Sequence, residues 1–333
     1  MHAYILERTG DAFSHPLKLV ELPDPEPAQG QVRLRVRACA CCRTDLHVLE
    51  GELPQKALGV TPGHQVVGVV DKLGPLVPAA LLGQRVGVAW LHATCGVCRF
   101  CQSGRENLCE LAVFTGYTAQ GGFAELMLAR ADFLYPLPQA LADEHVAPLL
   151  CAGIIGYRAL RRTDLADFRG ARIGIYGFGA AGHLAIQIAR ARGAEVYVAT
   201  REPVHRELAR ELGATWVGGT LDAPPVRLDA GIIFAPAGEI VPAALTHLDK
   251  GAALVLGGIH MSDIPQFPYA ALYGERTLRS VANNTREDGR AFLEEAARIG
   301  LKTEVQVYPF RHVSEALCDL KRGLRGAAVI SFA

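Results

Sequence analysis

The chain has 333 residues, and its 34 Lys and Arg balance 34 Asp and Glu to a formal net charge of zero. That length allows two domains of ordinary size, each with its own core. A neutral chain without a long basic run is not expected to take nucleic acid or an anionic membrane as its main partner.

Met1 to Gly10 lacks the charged-then-apolar pattern of a signal peptide, and no apolar run approaches a membrane span, so a soluble cytoplasmic protein is expected. From His2 to about Leu150 the sequence reads as mostly β, with short strands and frequent Pro and Gly. Pro23, Pro25 and Pro27 mark an extended connection. After it, Val32, Leu34, Val36 and Ala38 alternate with Gln31, Arg33, Arg35 and Arg37, which predicts a half-buried strand over Gln31 to Cys39.

Seven of the nine cysteines fall where metal suits them better than disulfides do. Cys42-Arg43-Thr44-Asp45-Leu46-His47 is followed by Gly63-His64-Gln65, and much later by Leu150-Cys151-Ala152-Gly153. Two cysteines and a histidine on separate loops would give three ligands and leave a fourth position free. Taken singly, each also reads as a buried cysteine or a satisfied core histidine. Cys95, Cys98, Cys101 and Cys109 follow the spacing C-x2-C-x2-C-x7-C, with Gly96 and Gly104 easing the turns. Four thiolates on one short loop fit a closed tetrahedral structural zinc. An iron–sulfur cluster is the nearest rival, and a zinc ribbon for nucleic acid is the non-enzymatic one. The remaining Cys39, Cys41 and Cys318 read as packing residues.

Around Thr163 to Gly170 the character changes to alternating strands and helices. Ile173 to Tyr176 is a short apolar run, followed by Gly177-Phe178-Gly179-Ala180-Ala181-Gly182 and a helical segment that ends after Gly193. His183, Gln187 and Arg190 form its polar stripe, and Glu195 to Ala199 reads as a second strand. Strand, glycine turn, helix and strand within about thirty residues make a dinucleotide-binding fingerprint. Gly177 permits the tight turn, Gly179 lets backbone approach a pyrophosphate, and Gly182 lets the helix pack closely. The helix N-terminus then offers free N–H groups to the phosphates. Further strands are expected at Gly231 to Phe234, Ala252 to Leu256 and Leu278 to Ala282, the sequence of a doubly wound parallel sheet. From about Thr303 the chain returns to strand, short helix and strand. The reading is an α/β protein: a β-rich domain interrupted by a nucleotide-binding domain.

Together these residues resemble the zinc-dependent alcohol dehydrogenases of the medium-chain dehydrogenase/reductase superfamily. The resemblance covers nearly the whole chain, including the Trp90 to Cys109 lobe, the glycine turn and the stretch Ser280 to Arg286. It implies a GroES-like catalytic domain over 1–153 and 287–333, with a structural zinc lobe near 90–110, and a Rossmann domain over 154–286. It implies two zinc ions per chain, the catalytic one on Cys42, His64 and Cys151, which is the known ligand set of alcohol dehydrogenases. By the same resemblance Thr44 and His47 pass the alcohol proton to solvent, and Asp45 orients His64. Arg43 grips the pyrophosphate. Trp90 lines a pocket for small primary aliphatic or aromatic alcohols; its alternative is a core tryptophan. Relatives form dimers and tetramers, so a homo-oligomer is expected. The alternatives are a polyol or other specialised dehydrogenase of the superfamily, and a nucleotide-sensing zinc protein without turnover, whose mark would be a lost ligand.

Three departures from the family pattern stand out. Gln65 replaces the usual glutamate after the histidine, and Gly326-Ala327 replaces a common Gly-Arg. At the end of the second fingerprint strand, where NAD-binding relatives carry an acid, this chain has Thr200 and Arg201. A hydroxyl and a guanidinium suit the 2′-phosphate of NADP, with His205 and Arg206 as helpers, so NADP is the expected preference and NAD the second cofactor.

Overall fold

The alternation that begins at Gln31 becomes a strand that continues past Cys39, Gln31–Cys41, in the computed structural model, which describes residues 1–54 and 58–332. Val32, Leu34 and Ala38 are fully buried while Arg35 and Arg37 face solvent, as period-two alternation requires. The strand pairs antiparallel with Gln65–Leu73 along one edge. Its other edge is shared by Leu126–Arg130 and the C-terminal strand Ala327–Ser331, where Ala328 lies opposite Cys41. Among the described residues the sheet runs Val305–Pro309, Ala327–Ser331, Gln31–Cys41, Gln65–Leu73, Arg85–Val88 and Tyr135–Pro136. The end of the chain thus completes the sheet that its beginning starts. Leu34, Val66, Phe123 and Ile330, none exposed, belong to the core of this unit.

The glycine turn belongs to a second, all-parallel sheet. Its strands run in the order Trp216–Gly218, Glu195–Ala199, Arg172–Tyr176, Leu228–Ile233, Leu248–Leu256 and Thr277–Ser280. The first two strands of the fingerprint therefore lie side by side, and the order reverses beside Arg172–Tyr176. Such a reversal opens a crevice at the carboxyl ends of the strands. The three later strands are present with shifted ends; Leu248–Leu256 starts early, taking in Asp249, Lys250 and Gly251 before its apolar run. The helices Ala152–Arg161, Ala180–Ala191, Pro203–Glu211 and Ile240–His247 belong to this unit. The divisions fall after Cys151 and after Ala282, with Asn283–Ala297 and the chain from Thr303 in the first unit and Arg298–Lys302 in the second.

The polar stripe of the helix is divided by burial: Arg190 is exposed, while His183 is fully buried. The helix is covered on two sides: Ala181 and Ala185 lie against Gly156, and His183 is near enough to His205 to feel its charge. The His183 Nδ1–H donates to the Gly179 carbonyl at 3.3 Å, and burial pushes the imidazole down to about 4, so the side chain is neutral.

The first unit is also stitched by charge. The Arg286 guanidinium makes a two-pronged pair with Glu106, its backbone N–H donates to the same carboxylate at 2.8 Å, and its plane lies over the Phe133 ring. Burial pushes the Glu106 carboxyl up, but the bonds to Arg286 outweigh it and hold the group below its ordinary value. A carboxyl whose folded pKa is lowered stabilises above its unfolded value of about 4.3 and loses that contribution as pH falls through the folded value. Glu106→Gln should therefore flatten the acid limb of the stability curve below that pH and lower stability at neutral pH, as urea melts across pH will show.

Candidate metal centre and cofactor turn

Cys42 directly follows the long strand and caps the helix Arg43–Glu50 with extended backbone. Asp45, in the first helical turn, accepts from the Cys42 N–H through Oδ2 at 2.8 Å, a capping interaction that also places a negative group at a positive helix end. Its second oxygen, Oδ1, accepts from His64 Nδ1 at 3.0 Å. His64 is thereby fixed in the tautomer that leaves Nε2 as the ligating atom, and Nε2 lies 3.3 Å from Cys42 Sγ. Cys151 arrives from between the turn Ala147–Leu150 and the helix Ala152–Arg161. The ligand atoms of Cys42, His64 and Cys151 all lie within 4.8 Å of one another.

The charges show how tightly the three are packed. A hydrogen bond from Cys151, against the cost of burial and helped by His64, holds the Cys42 thiol well below its usual value, while the same bond and burial push Cys151 up. Burial alone would lower His64, but the Asp45 carboxylate and Cys42 thiolate override it and lift the ring to about 10. Without metal the cluster holds protons that a cation displaces on binding. Two thiolates and an oriented imidazole are the donor set zinc prefers.

The second cluster is the lobe. Cys95 Sγ lies 3.6 Å from Cys109 Sγ and 3.9 Å from Cys101 Sγ, and Cys98 Sγ lies 3.6 Å from Cys101 Sγ. A tetrahedral zinc with Zn–S bonds of about 2.3 Å has S–S edges of about 3.8 Å. The fit to a single ion is close; a cluster would spread its cysteines over more than one iron.

Around the first cluster, Thr44 is buried in the first helical turn and Arg43 is exposed beside it. His47 is also buried, 4% exposed, rather than a surface residue. Its Nδ1 pairs with Glu52 Oε2, a partner that sequence reasoning missed. The signal was there: Gly51 caps the helix with φ 72, and that turn carries the next residue back to His47, whose carbonyl accepts from the Glu52 N–H at 3.0 Å. Trp90 is buried in the core of the first unit and also stands beside the cluster, its ring edge-on to His64 at 5.2 Å. Gln65 is 1% exposed; its Nε2 donates to the Ala40 carbonyl at 3.1 Å, and its Oε1 is buried without a hydrogen-bond partner.

In the second unit, Gly177 has φ 88, and a Cβ there would meet the Ala235 nitrogen at 2.8 Å. Gly179 caps the helix Ala180–Ala191, and a Cβ there would meet open space. A Cβ on Gly182 would meet the Gly177 carbonyl oxygen at 2.9 Å, so the helix packs against the turn as expected; Phe178 is buried beneath it. Ala180 and Ala181 supply the first N–H groups of the helix. Thr200 is buried at the strand end, and Arg201 is exposed, with its guanidinium on Glu202 at 2.7–2.8 Å. Of the two helpers, Arg206 bonds the Thr200 carbonyl at 2.8 Å and His205 is buried.

Comparison with known proteins places the chain in a family. Residues 28–139 match the alcohol dehydrogenase GroES-like domain, and residues 180–298 match the zinc-binding dehydrogenase family. The chain is 47% identical to a probable alcohol dehydrogenase of Mycobacterium tuberculosis, over 99% of this chain and 97% of that one. A cinnamyl alcohol dehydrogenase from Sorghum bicolor superposes with a TM-score of 0.90 at 29% identity, over 99% of this chain and 97% of that one. Acetophenone reductase from Geotrichum candidum, solved in complex with NAD, superposes with a TM-score of 0.88 at 26% identity over the same shares. The chain belongs to the zinc-binding alcohol dehydrogenases of the medium-chain dehydrogenase/reductase superfamily. It is an oxidoreductase that works with a nicotinamide cofactor, built from a GroES-like domain and a Rossmann domain. Among its described residues no helix is long and apolar enough to cross a membrane.

The backbone before His64 is closely packed. Gly63 has φ 91, and a Cβ there would lie 2.7 Å from the Phe123 ring and 2.9 Å from Cys39 Sγ. Gly251 has φ 75 with nothing within 4 Å. Both alanine variants carry left-handed strain, but Gly63→Ala should cost roughly 1–3 kcal/mol more through overpacking. Denaturant melts of the two variants will measure the difference.

Proposed function

We propose that this protein is a zinc alcohol dehydrogenase that interconverts small primary alcohols, aliphatic or aromatic, with their aldehydes, and that it prefers NADP to NAD. The observation that carries the reading is the convergence of Cys42, His64 and Cys151, with Asp45 fixing the histidine tautomer. When bound, zinc supplies Lewis acidity that lowers the pKa of an alcohol and polarises a carbonyl, and the nicotinamide exchanges the hydride.

The chain's own residues hold the donors and move the proton. Thr44 Oγ1 is the group that takes the alcohol proton in the oxidation direction. His47 passes it outward, with Nδ1 held by the Glu52 carboxylate, whose side chain is 39% exposed and opens to water. Trp90, flat and rigid beside His64, leaves more room for short or planar alcohols than for branched secondary ones. Gln65 adds no negative charge behind the metal, which leaves the ion more electropositive than a glutamate would. The four-cysteine lobe binds a second zinc with a structural role. We also infer a homo-oligomer, dimer or tetramer, which the exposed Tyr269 and Tyr273 near the edge strand Thr277–Ser280 support.

Cofactor choice rests on a difference of magnitudes. Arg201 is 85% exposed, and its pair with Glu202 is a surface ion pair, worth roughly 0–1 kcal/mol. Charge-assisted hydrogen bonds to a 2′-phosphate contribute about 1.5–3 kcal/mol, so turning from Glu202 to the phosphate is favourable. Expected kcat/KM is roughly tenfold or more higher with NADP, and Arg201→Ala should lose most of that advantage while NAD efficiency stays near the parent's. A parent that prefers NAD, or an unchanged NADP efficiency in the variant, would overturn the preference.

The class of reaction is tested by a screen of alcohols with both cofactors, in which absence of turnover with every alcohol defeats the reading. Metal analysis should find two zinc ions per chain. Cys151→Ser should keep the lobe ion and the fold but lose most of the turnover, whereas Cys98→Ser should lose the lobe ion and chiefly lower Tm. A single zinc in the parent, or full turnover in Cys151→Ser, counts against the assignment of roles.

A further inference from the structure

Trp90 is one of two tryptophans in the chain, and it is 6% exposed. Its ring stacks on Phe114 at 5.2 Å and on Tyr117 at 5.8 Å, nearly parallel to both. Stacking fixes the plane of an aromatic ring but leaves it free to slide and turn within that plane. What stops the turn is the indole N–H, which donates to Asn283 Oδ1 at 3.0 Å.

Asn283 reaches in the other direction as well. Its Nδ2 donates to the Asn107 carbonyl at 3.2 Å, and Asn107 lies in the helical turn Glu106–Leu108, directly before Cys109 of the lobe. The orientation of the amide is dictated, because an indole N–H only donates and a carbonyl only accepts. The residue sits at φ 54, a left-handed conformation that asparagine tolerates better than most. Its neighbours hold it there: Asn284 Nδ2 bonds the Tyr135 hydroxyl at 3.2 Å, and Arg286 grips Glu106.

We propose that Asn283 is a positioning residue that sets alcohol selectivity by locking the Trp90 indole, which borders His64, to the four-cysteine lobe. The inference rests on the reading of Trp90 as a wall of the alcohol site. The side-chain hydrogen bonds of Asn283 go to Trp90 and Asn107, so it acts through Trp90. The lobe then has a second consequence besides stability, since its backbone at Asn107 anchors a wall of the site in the same unit.

Two variants separate the halves of the clamp. Asn283→Gly removes the amide while suiting the left-handed backbone, and Asn283→Asp keeps the acceptor for Trp90 but loses the donor to Asn107. In a Trp216→Phe background, where emission comes from Trp90 alone, Asn283→Gly should shift the emission to the red and increase quenching by acrylamide, with Asn283→Asp between it and the parent. The selectivity ratio, kcat/KM for a branched secondary alcohol over that for a short primary one, should rise about fivefold in Asn283→Gly, the weight of one hydrogen bond of ordinary strength. The change should lie in KM of the primary alcohol more than in kcat, and should vanish when Asn283→Gly is added to Trp90→Ala. An unchanged emission spectrum in Asn283→Gly overturns the clamp. A shift in selectivity that persists undiminished in the Trp90→Ala background shows that Asn283 acts by general loosening, and also overturns it. A ratio unaltered by Trp90→Ala itself defeats the wall reading and the selectivity role with it, and the emission spectrum then decides separately whether the clamp exists.

Discussion

The arrangement of the Cys42, His64 and Cys151 cluster depends on one carboxylate. Asp45 is 1% exposed, and burial raises its pKa despite the bonds it accepts. A buried carboxylate is costly unless it is paired and hydrogen-bonded. Here one oxygen takes the Cys42 N–H and the other takes His64 Nδ1, so the same group starts a helix and orients a ligand. Because the carboxylate sits in the first helical turn, the positive end of the helix offsets part of its burial cost. Without it the imidazole would have no reason to present Nε2 to Cys42.

The sheet supplies the rest of the precision. Cys42 follows directly on a strand paired along both edges, and the C-terminal strand that closes one of them lies opposite Ala38 to Cys41. His64 immediately precedes the partner strand Gln65–Leu73, in which Gln65 lies opposite Ala40. Two ligands are therefore held by neighbouring strands whose register is set by buried side chains on alternate positions, and a slip of one residue would expose that set. Cys151 comes from a different kind of element, the junction of a helical turn and a helix, and completes the cluster only through tertiary packing. The lobe is a self-contained counterpart. Its four sulfurs come from fifteen consecutive residues, and its attachments to the rest of the unit run through Glu106 and Asn107 to Arg286 and Asn283.

The glycine turn is shaped by omission rather than by side-chain contact. Gly177, Gly179 and Gly182 matter for the atoms they lack, two because neighbours crowd the missing Cβ and one because nothing does. Thr200 and Arg201 stand at the end of the adjacent strand, and the pairing of Glu195–Ala199 with Arg172–Tyr176 is what brings them to the same end of the sheet.

Features carried by short-range pattern were legible in the sequence. The glycine turn, the four-cysteine lobe, the strand at Gln31 and the stretch Cys42 to His47 each announce themselves through spacing within a few residues, because turn geometry and metal coordination impose that spacing locally. The parallel sheet followed from alternation of apolar runs, although strand ends moved by several residues, as where Asp249 to Gly251 lie in an irregularity between the paired Leu248 and Ala253. What the sequence did not disclose depends on partners outside the reach of local periodicity. His183 was grouped with Gln187 and Arg190 because amphipathic spacing counts polar residues and cannot see which of them the fold buries. Glu52 was five residues from His47 but on the far side of a glycine cap, where helical periodicity no longer applies. Asn283 bonds a tryptophan 193 residues away and a carbonyl 176 residues away. Local chemistry determined which residues are able to bind metal and cofactor; only the folded chain decided how they are oriented, because orientation is set by bonds between strands, turns and helices that the sequence places far apart.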